Sequence, residues 1–258
     1  QNGQYNPKTG SRPTGDPSSK RDHGPFMIFL GALGLVAEQD ADPWCVSSGF
    51  RIITRILDFH VASEKADSPM FPNDMWETVD GNNLPFFENG RLTSDPGHSI
   101  EFVGLTGKFL RALHHQEQPK ATAPGTPAIE ARLPGILFRN YENGYRRDSE
   151  GIIKSIDLLS REPIDSNMPW WSLPETMRAA MEIYHLSKSS EIAKLCLTIF
   201  ANCHNVLTRR YLSPDYPRFW YQSRSSEGNI IDVIPACPDI DPGYHTNLSI
   251  IDALSLME

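Results

Sequence analysis

Residues 95–115 read DPGHSIEFVGLTGKFLRALHH. An Asp-Pro-Gly turn places His98 at its end, and Glu101 comes three residues later. Beyond the turn the apolar residues recur at helical spacing, which predicts a helix over 97–115. His98 is then either a chemically active group held at a helix mouth or an ordinary residue in a helix start. At a helix N-terminus the dipole and the free N–H groups disfavour positive charge, so the imidazole is expected to have a lowered pKa and to be neutral near pH 7.

Outward from this stretch the same periodicity predicts helices over 26–38, 44–63, 129–140, 173–188, 190–209 and 246–257. In SLPETMRAAMEIYHL the residues Met177, Ala180, Met181 and Tyr184 share a face, and Pro174 is tolerated because it falls in the first turn. Leu248, Ile251 and Leu254 repeat the pattern in DPGYHTNLSIIDALSLME. Strand signals are confined to EGIIKSIDLL and GNIIDVI, short β-branched runs that read as hairpin arms within loops. The fold class expected is therefore all-α, with long polar loops between helices, and such loops usually carry the site. Residues 1–24 are rich in Pro, Gly, Ser and Lys and have no hydrophobic period, so they read as a linker entering a helical domain over 25–258. The chain opens without methionine and closes inside a helical pattern, and the native protein is expected to be longer.

A chain of 258 residues with 39% hydrophobic content can bury one sizeable core. A net charge of −8 leaves no basic stripe to follow a phosphate backbone or an anionic membrane. The longest apolar run, PFMIFLGALGLVA, is too short to span a bilayer. Four cysteines without close pairing form neither a disulfide framework nor a zinc site, and a reducing, cytoplasmic setting is expected. Cys196 and Cys203, seven apart on one helix face, read as small core residues.

Four segments taken in order resemble the N-acylglucosamine 2-epimerase superfamily, which includes the cellobiose 2-epimerases. DPGHSIEF is similar to its Pro-Gly-His-x-x-Glu segment, MPWWSLPETMRAAMEIY to its Trp-Trp-x-x-x-Glu segment, and DPGYHTNLSIIDAL to its late Tyr-His or Phe-His segment. GPFMIFLGALGLV stands where the family has an Asn-Pro-x-Met-His-x-x-Glu helix. The resemblance implies an (α/α)6 barrel, incomplete at its N-terminal side, with a sugar pocket at one end of the inner ring. It also implies a 2-epimerase or aldose–ketose isomerase in which His98 and His245 act as a pair: one removes the C2 proton of a ring-opened sugar, and the other returns a proton to the enediolate. Epimerisation beside a carbonyl needs such a base and acid on opposite faces of the reacting carbon.

Around that pair, Glu101 is expected to orient the His98 imidazole or bind a sugar hydroxyl. Glu175 is a second contact, although Ser172-Leu-Pro-Glu175 also reads as a capping box that would occupy its carboxylate. Trp170 and Trp171 can offer an aromatic wall to a sugar ring. Arg224, in WYQSRSSEGN, is a candidate contact to a substrate oxygen. His60 ends a helix pattern, where the dipole favours it, and His114, His115, His185 and His204 match no motif. The scheme implies no cofactor and no metal. The expected partner is a mono- or disaccharide, with a homodimer as the assembly considered. The family's helix histidine and glutamate fall here on Ile28 and Gly31, which favours the alternative of an (α/α)6 protein adapted to a less polar substrate or to glycan binding.

Overall fold

The computed structural model describes residues 19–63, 70–115, 125–215, 220–231 and 244–257. Its helices are α1 (Gly24–Gln39), α2 (Pro43–Phe59), α3 (Pro96–His114), α4 (Thr126–Gly144), α5 (Ser172–Leu186), α6 (Ser190–Val206) and α7 (Ser249–Ser255). Several starts have a local cause. Asp42 caps α2 by accepting from the Cys45 N–H at 2.7 Å, and Asp95 caps α3 by accepting from Gly97 and His98. Proline in the first turn of α1, α2, α3 and α4 needs no donor there.

The fold is all-α, as the periodicity indicates. Helices α1, α3, α5 and α7 pack side by side in chain order, while α2, α4 and α6 lie behind α1, α3 and α5. Burial follows this layering. Most residues of α3 and α5 are buried, whereas α6 buries only Cys196, Ile199, Cys203 and Val206. The two cysteines are thus core residues, as their spacing suggests. The layers pack closely enough that a Cβ on Gly49 would stand 2.2 Å from the ring of Phe109, which is itself fully buried. Gly49→Ala should therefore lower stability by about 1–3 kcal/mol, read as a shift in the denaturant midpoint; an unchanged midpoint would mean that this contact is loose. At the two ends of the series, Ile28, Phe29, Leu35 and Val36 of α1 and Ile251 and Leu254 of α7 remain exposed.

Short antiparallel strand pairs lock the loops. The EGIIKSIDLL segment divides into Gly151–Ile152, paired with Tyr145–Arg146, and Ser155–Asp157, paired with Thr93–Ser94 and Pro163–Asp165. In GNIIDVI, Ile230 bridges to Arg224, and the segment from residue 232 onward lies outside the described residues. Two further pairs have no clear sequence signal: Arg21–Asp22 with Thr78–Val79, and Met168–Pro169 with Ser223–Arg224. A second apolar cluster, including Trp76, Val79, Phe87, Leu92, Ile153 and Leu158, lies under these loops and holds them against the helices.

Several helix ends differ from the periodic reading. The helix expected over 44–63 stops at Phe59, because His60 turns inward and bonds the Trp76 carbonyl through Nδ1 at 3.1 Å. Burial and the neighbouring His23 push the His60 pKa down to about 4, so a favourable dipole contact by a charged ring is not what keeps it there. The last turn of the helix expected over 190–209 widens into a π-helical turn at Leu207–Tyr211, and α7 is preceded by another at Tyr244–Leu248. Among the described residues no helix is long and apolar enough to cross a membrane.

Candidate active site

The starts of α1, α3, α5 and the turn before α7 surround one cavity of about 480 Å³. Gly24, Pro25, Met27 and Ile28 form an apolar wall edged by Asp22, and Glu77, His98, Glu101, Trp171 and His245 form the more polar one. The imidazole of His98 stacks on the Trp171 indole with centroids 5.2 Å apart, and that of His245 lies 5.0 Å from the same indole. Two histidines far apart in the chain thus share one aromatic platform.

His98 arrives here because Asp95 caps α3 and commits the next residues to the first turn. Its Nδ1 faces Glu77 Oε2 at 3.0 Å and Asp95 Oδ2 at 3.4 Å. Burial works against an imidazolium, but the Asp95 and Glu77 carboxylates outweigh it and raise the His98 pKa to about 9. This reverses the expectation drawn from the helix dipole. A half-charge at a helix end is a weak, partly screened influence, and two carboxylates within hydrogen-bonding range exceed it. Lys154 offsets them only partly, since it is paired with Asp95.

His245 has a different escort. Its Nδ1 lies 3.1 Å from Glu175 Oε1 and 4.0 Å from Glu101 Oε1. Glu175 also accepts from Ser249 Oγ at 2.9 Å and is paired with the buried guanidinium of Arg178. Arg178 reaches on to Asp252 Oδ2 at 3.4 Å, and Asp252 takes Lys108 at 2.6 Å. The capping-box reading of Glu175 does not hold: the N-cap of α5 is Trp171, no side chain caps it, and the Glu175 carboxylate points into this network. Glu101 is likewise directed at His245 rather than at His98. It is 1% exposed, and its Oε1 has no hydrogen-bond partner among the described residues. Burial, with the nearby Glu175 charge, raises the Glu101 pKa to about 7.

Glu101, Glu175 and His245 bring three potential ligand atoms within 4.8 Å of one another. Sequence spacing shows no such set, because the three residues come from three well-separated segments of the chain. The Arg178 cation already balances Glu175 at that point, and a second cation beside it would be repelled. The cluster is better described as an ion-pair network that holds His245.

The remaining candidates divide. Trp171 lines the cavity, while Trp170 is buried and does not. Arg224 lies apart from the cavity: its guanidinium donates to the Gly228 carbonyl at 3.1 Å and the Glu150 carbonyl at 2.9 Å and covers the Tyr211 ring. It ties loops together. Ile28 lines the cavity, and Gly31 is buried in α1. The residues without a sequence signal are Glu77, His23 and Lys154. Glu77 lies in NDMWETVD, a stretch with no motif, and is brought to the site by the pairing of Thr78–Val79 with Arg21–Asp22 and by its own backbone bonds, donating to the Thr93 carbonyl and accepting from the His23 N–H.

An arc of paired helices whose inner members all open on one polar cleft is the (α/α)6 architecture of carbohydrate epimerases and isomerases. Three solved structures share it: cellobiose 2-epimerase from Bacillus thermoamylovorans B4167 (TM-score 0.64, 13% identity, 90% of this chain and 52% of that one), a sugar epimerase from a ruminal bacterium (0.66, 12%, 91% and 54%) and a D-mannose isomerase (0.67, 16%, 92% and 57%). The chain belongs to the N-acylglucosamine 2-epimerase (GlcNAc 2-epimerase) family, whose model matches residues 6–247. It spans little more than half the length of these structural neighbours. Comparison with curated protein sequences finds no match.

Proposed function

We propose that this chain carries the proton-transfer site of a sugar epimerase or isomerase acting at C2. The observation that supports this best is the pair of imidazoles, each about 5 Å from the Trp171 indole and each held by its own carboxylates. The two differ in escort. His98 enters the reaction as an imidazolium at neutral pH, which suits the acid. His245, with Glu101 and Glu175 behind it, suits the base.

In this scheme His245 takes the C2 proton of the open-chain aldose, and the C2–H electron pair moves into the C1–C2 bond to give an enediolate. The imidazolium of His98 then delivers a proton to C2 on the other face, giving the epimer. Delivery to C1 instead, with the O2 proton passing to O1, gives the ketose. The proton gained by His245 and the one lost by His98 are restored through solvent, so no net acid or base is consumed. Ionised Glu101 stabilises the imidazolium that forms on His245.

Two titrations then frame the rate. Glu101 must be ionised, which happens as pH rises through about 7, and His98 must be protonated, which is lost as pH rises through about 9. A bell-shaped kcat/KM with limbs near these values is expected. The test is to incubate the protein with mannose, glucose, N-acetylmannosamine and cellobiose in turn and follow new isomers by NMR across pH 5–10. A product with a monotonic profile would break the assignment of His98 as acid, and no product from any sugar would favour the second reading. That reading rests on the apolar wall of Pro25, Met27 and Ile28, which suits a sugar bearing an apolar substituent or a bound glycan.

A further inference from the structure

Glu77 lines the cavity, and no motif accounts for it. Its carboxylate spans two elements: Oε1 accepts from His23 Nε2 at 3.2 Å and from the Asp95 N–H at 3.3 Å, and Oε2 faces His98 Nδ1 at 3.0 Å. His23 is fully buried directly before α1 and stacks edge-on against His60, with ring centroids 5.2 Å apart. The carboxylate is therefore gripped from the α1 side by His23 and from the α3 side by the backbone of the capping residue.

We infer that Glu77 is the positioning residue of His98: held by His23 and the Asp95 backbone, it accepts the Nδ1–H of the imidazole and leaves Nε2 as the ring nitrogen that exchanges a proton with substrate. An ionised carboxylate can only accept, so the Nδ1 proton is assigned by the pairing. Burial opposes ionisation of Glu77, but His23 and His98 hold its pKa well below the ordinary carboxylate range. The titratable and charged groups around His98 are then Asp95 and Glu101 on its own element, Glu77 from the segment after α2, Lys154 from the loop after Gly151–Ile152, and His23 before α1. Of the carboxylates, Asp95 is already shared with Lys154 and with two backbone N–H groups. Glu77 is paired with the two histidines and is the anion most fully devoted to them. The same tether fixes ring orientation, as carboxylates behind working histidines do.

This role rests on the proton-transfer reading for its catalytic meaning, but its structural content is tested without turnover. In the full chain labelled with 15N-histidine, the His98 imidazole should titrate near 9 and, above that pH, show the Nδ1–H tautomer. Glu77→Gln keeps the shape and removes the charge, and His98 should lose about 10- to 1,000-fold in proton affinity. Glu77→Asp keeps the charge and should retain most of that affinity. Once a substrate is found, E77Q should lower kcat at pH 8 and move the alkaline limb of the profile to lower pH, with KM changed little.

A folded E77Q whose His98 titrates and tautomerises as in the wild type would overturn the inference. If E77Q does not fold, an Nε2–H tautomer in the wild type would overturn it just as directly. A wild type that turns over no sugar counts against the epimerase reading, while the NMR outcome still decides the role of Glu77.

Discussion

In D2O, His98→Asn should abolish net epimerisation while leaving solvent exchange at C2 of one epimer. His245 can still remove that proton and return a deuteron to the same face, but nothing delivers to the opposite face. His245→Asn should show the converse, with a pH dependence of its own. His98 is held as an imidazolium until about pH 9, so exchange from the second epimer should be weak at pH 7 and grow as the solution becomes alkaline. Loss of a general acid or base typically costs about 10² to 10⁴ in rate. NMR of the C2 proton during incubation separates exchange from net conversion. If both variants epimerise within a fewfold of the wild type, the two histidines are structural and the cavity performs its chemistry elsewhere.

The largest effect on stability is expected at Arg178, a guanidinium with no solvent exposure between Glu175 and Asp252. Arg178→Met keeps much of the volume and removes the charge. Glu175, also fully buried, is then left with His245 and Ser249 as partners, and Asp252 with Lys108. Breaking a buried pair from one side costs about 3–5 kcal/mol, because the remaining ion has lost its solvent without compensation. Chemical denaturation should show this as a large drop in midpoint with an unchanged slope. A loss below about 1 kcal/mol would mean that water reaches Glu175 and that the network is less closed than its burial implies. The same change is expected to slow turnover, since the Arg178 guanidinium fixes the Glu175 carboxylate that meets His245 at 3.1 Å.

Much of this protein is settled by local pattern. The apolar spacing in 97–115 and 173–188 yields α3 and α5 to within a residue or two, because the period of burial on a helix is a property of consecutive residues. The order of the Pro-Gly-His-x-x-Glu, Trp-Trp-x-x-x-Glu and late His segments identifies the family and points to His98, Glu101, Trp170, Trp171, Glu175 and His245. All but Trp170 lie on or against one cavity.

The part each residue plays there was decided only by the tertiary structure. Glu101 shares a helix with His98, yet its carboxylate lies 4.0 Å from His245, because the turn before α7 brings that ring to it. Arg224 reads as a substrate contact, and its guanidinium ends on the carbonyls of Glu150 and Gly228. The charge on His98 shows the limit most clearly. The helix dipole, visible in the sequence, predicts a neutral ring, but Glu77, 21 residues away, comes within 3.0 Å and helps make it cationic. Periodicity is a sum over neighbours in the chain and can be read there. A pKa is a sum over neighbours in space: Asp95 is also near His98 in the chain, but Glu77 joins it in raising the pKa only because the fold brings the two segments together.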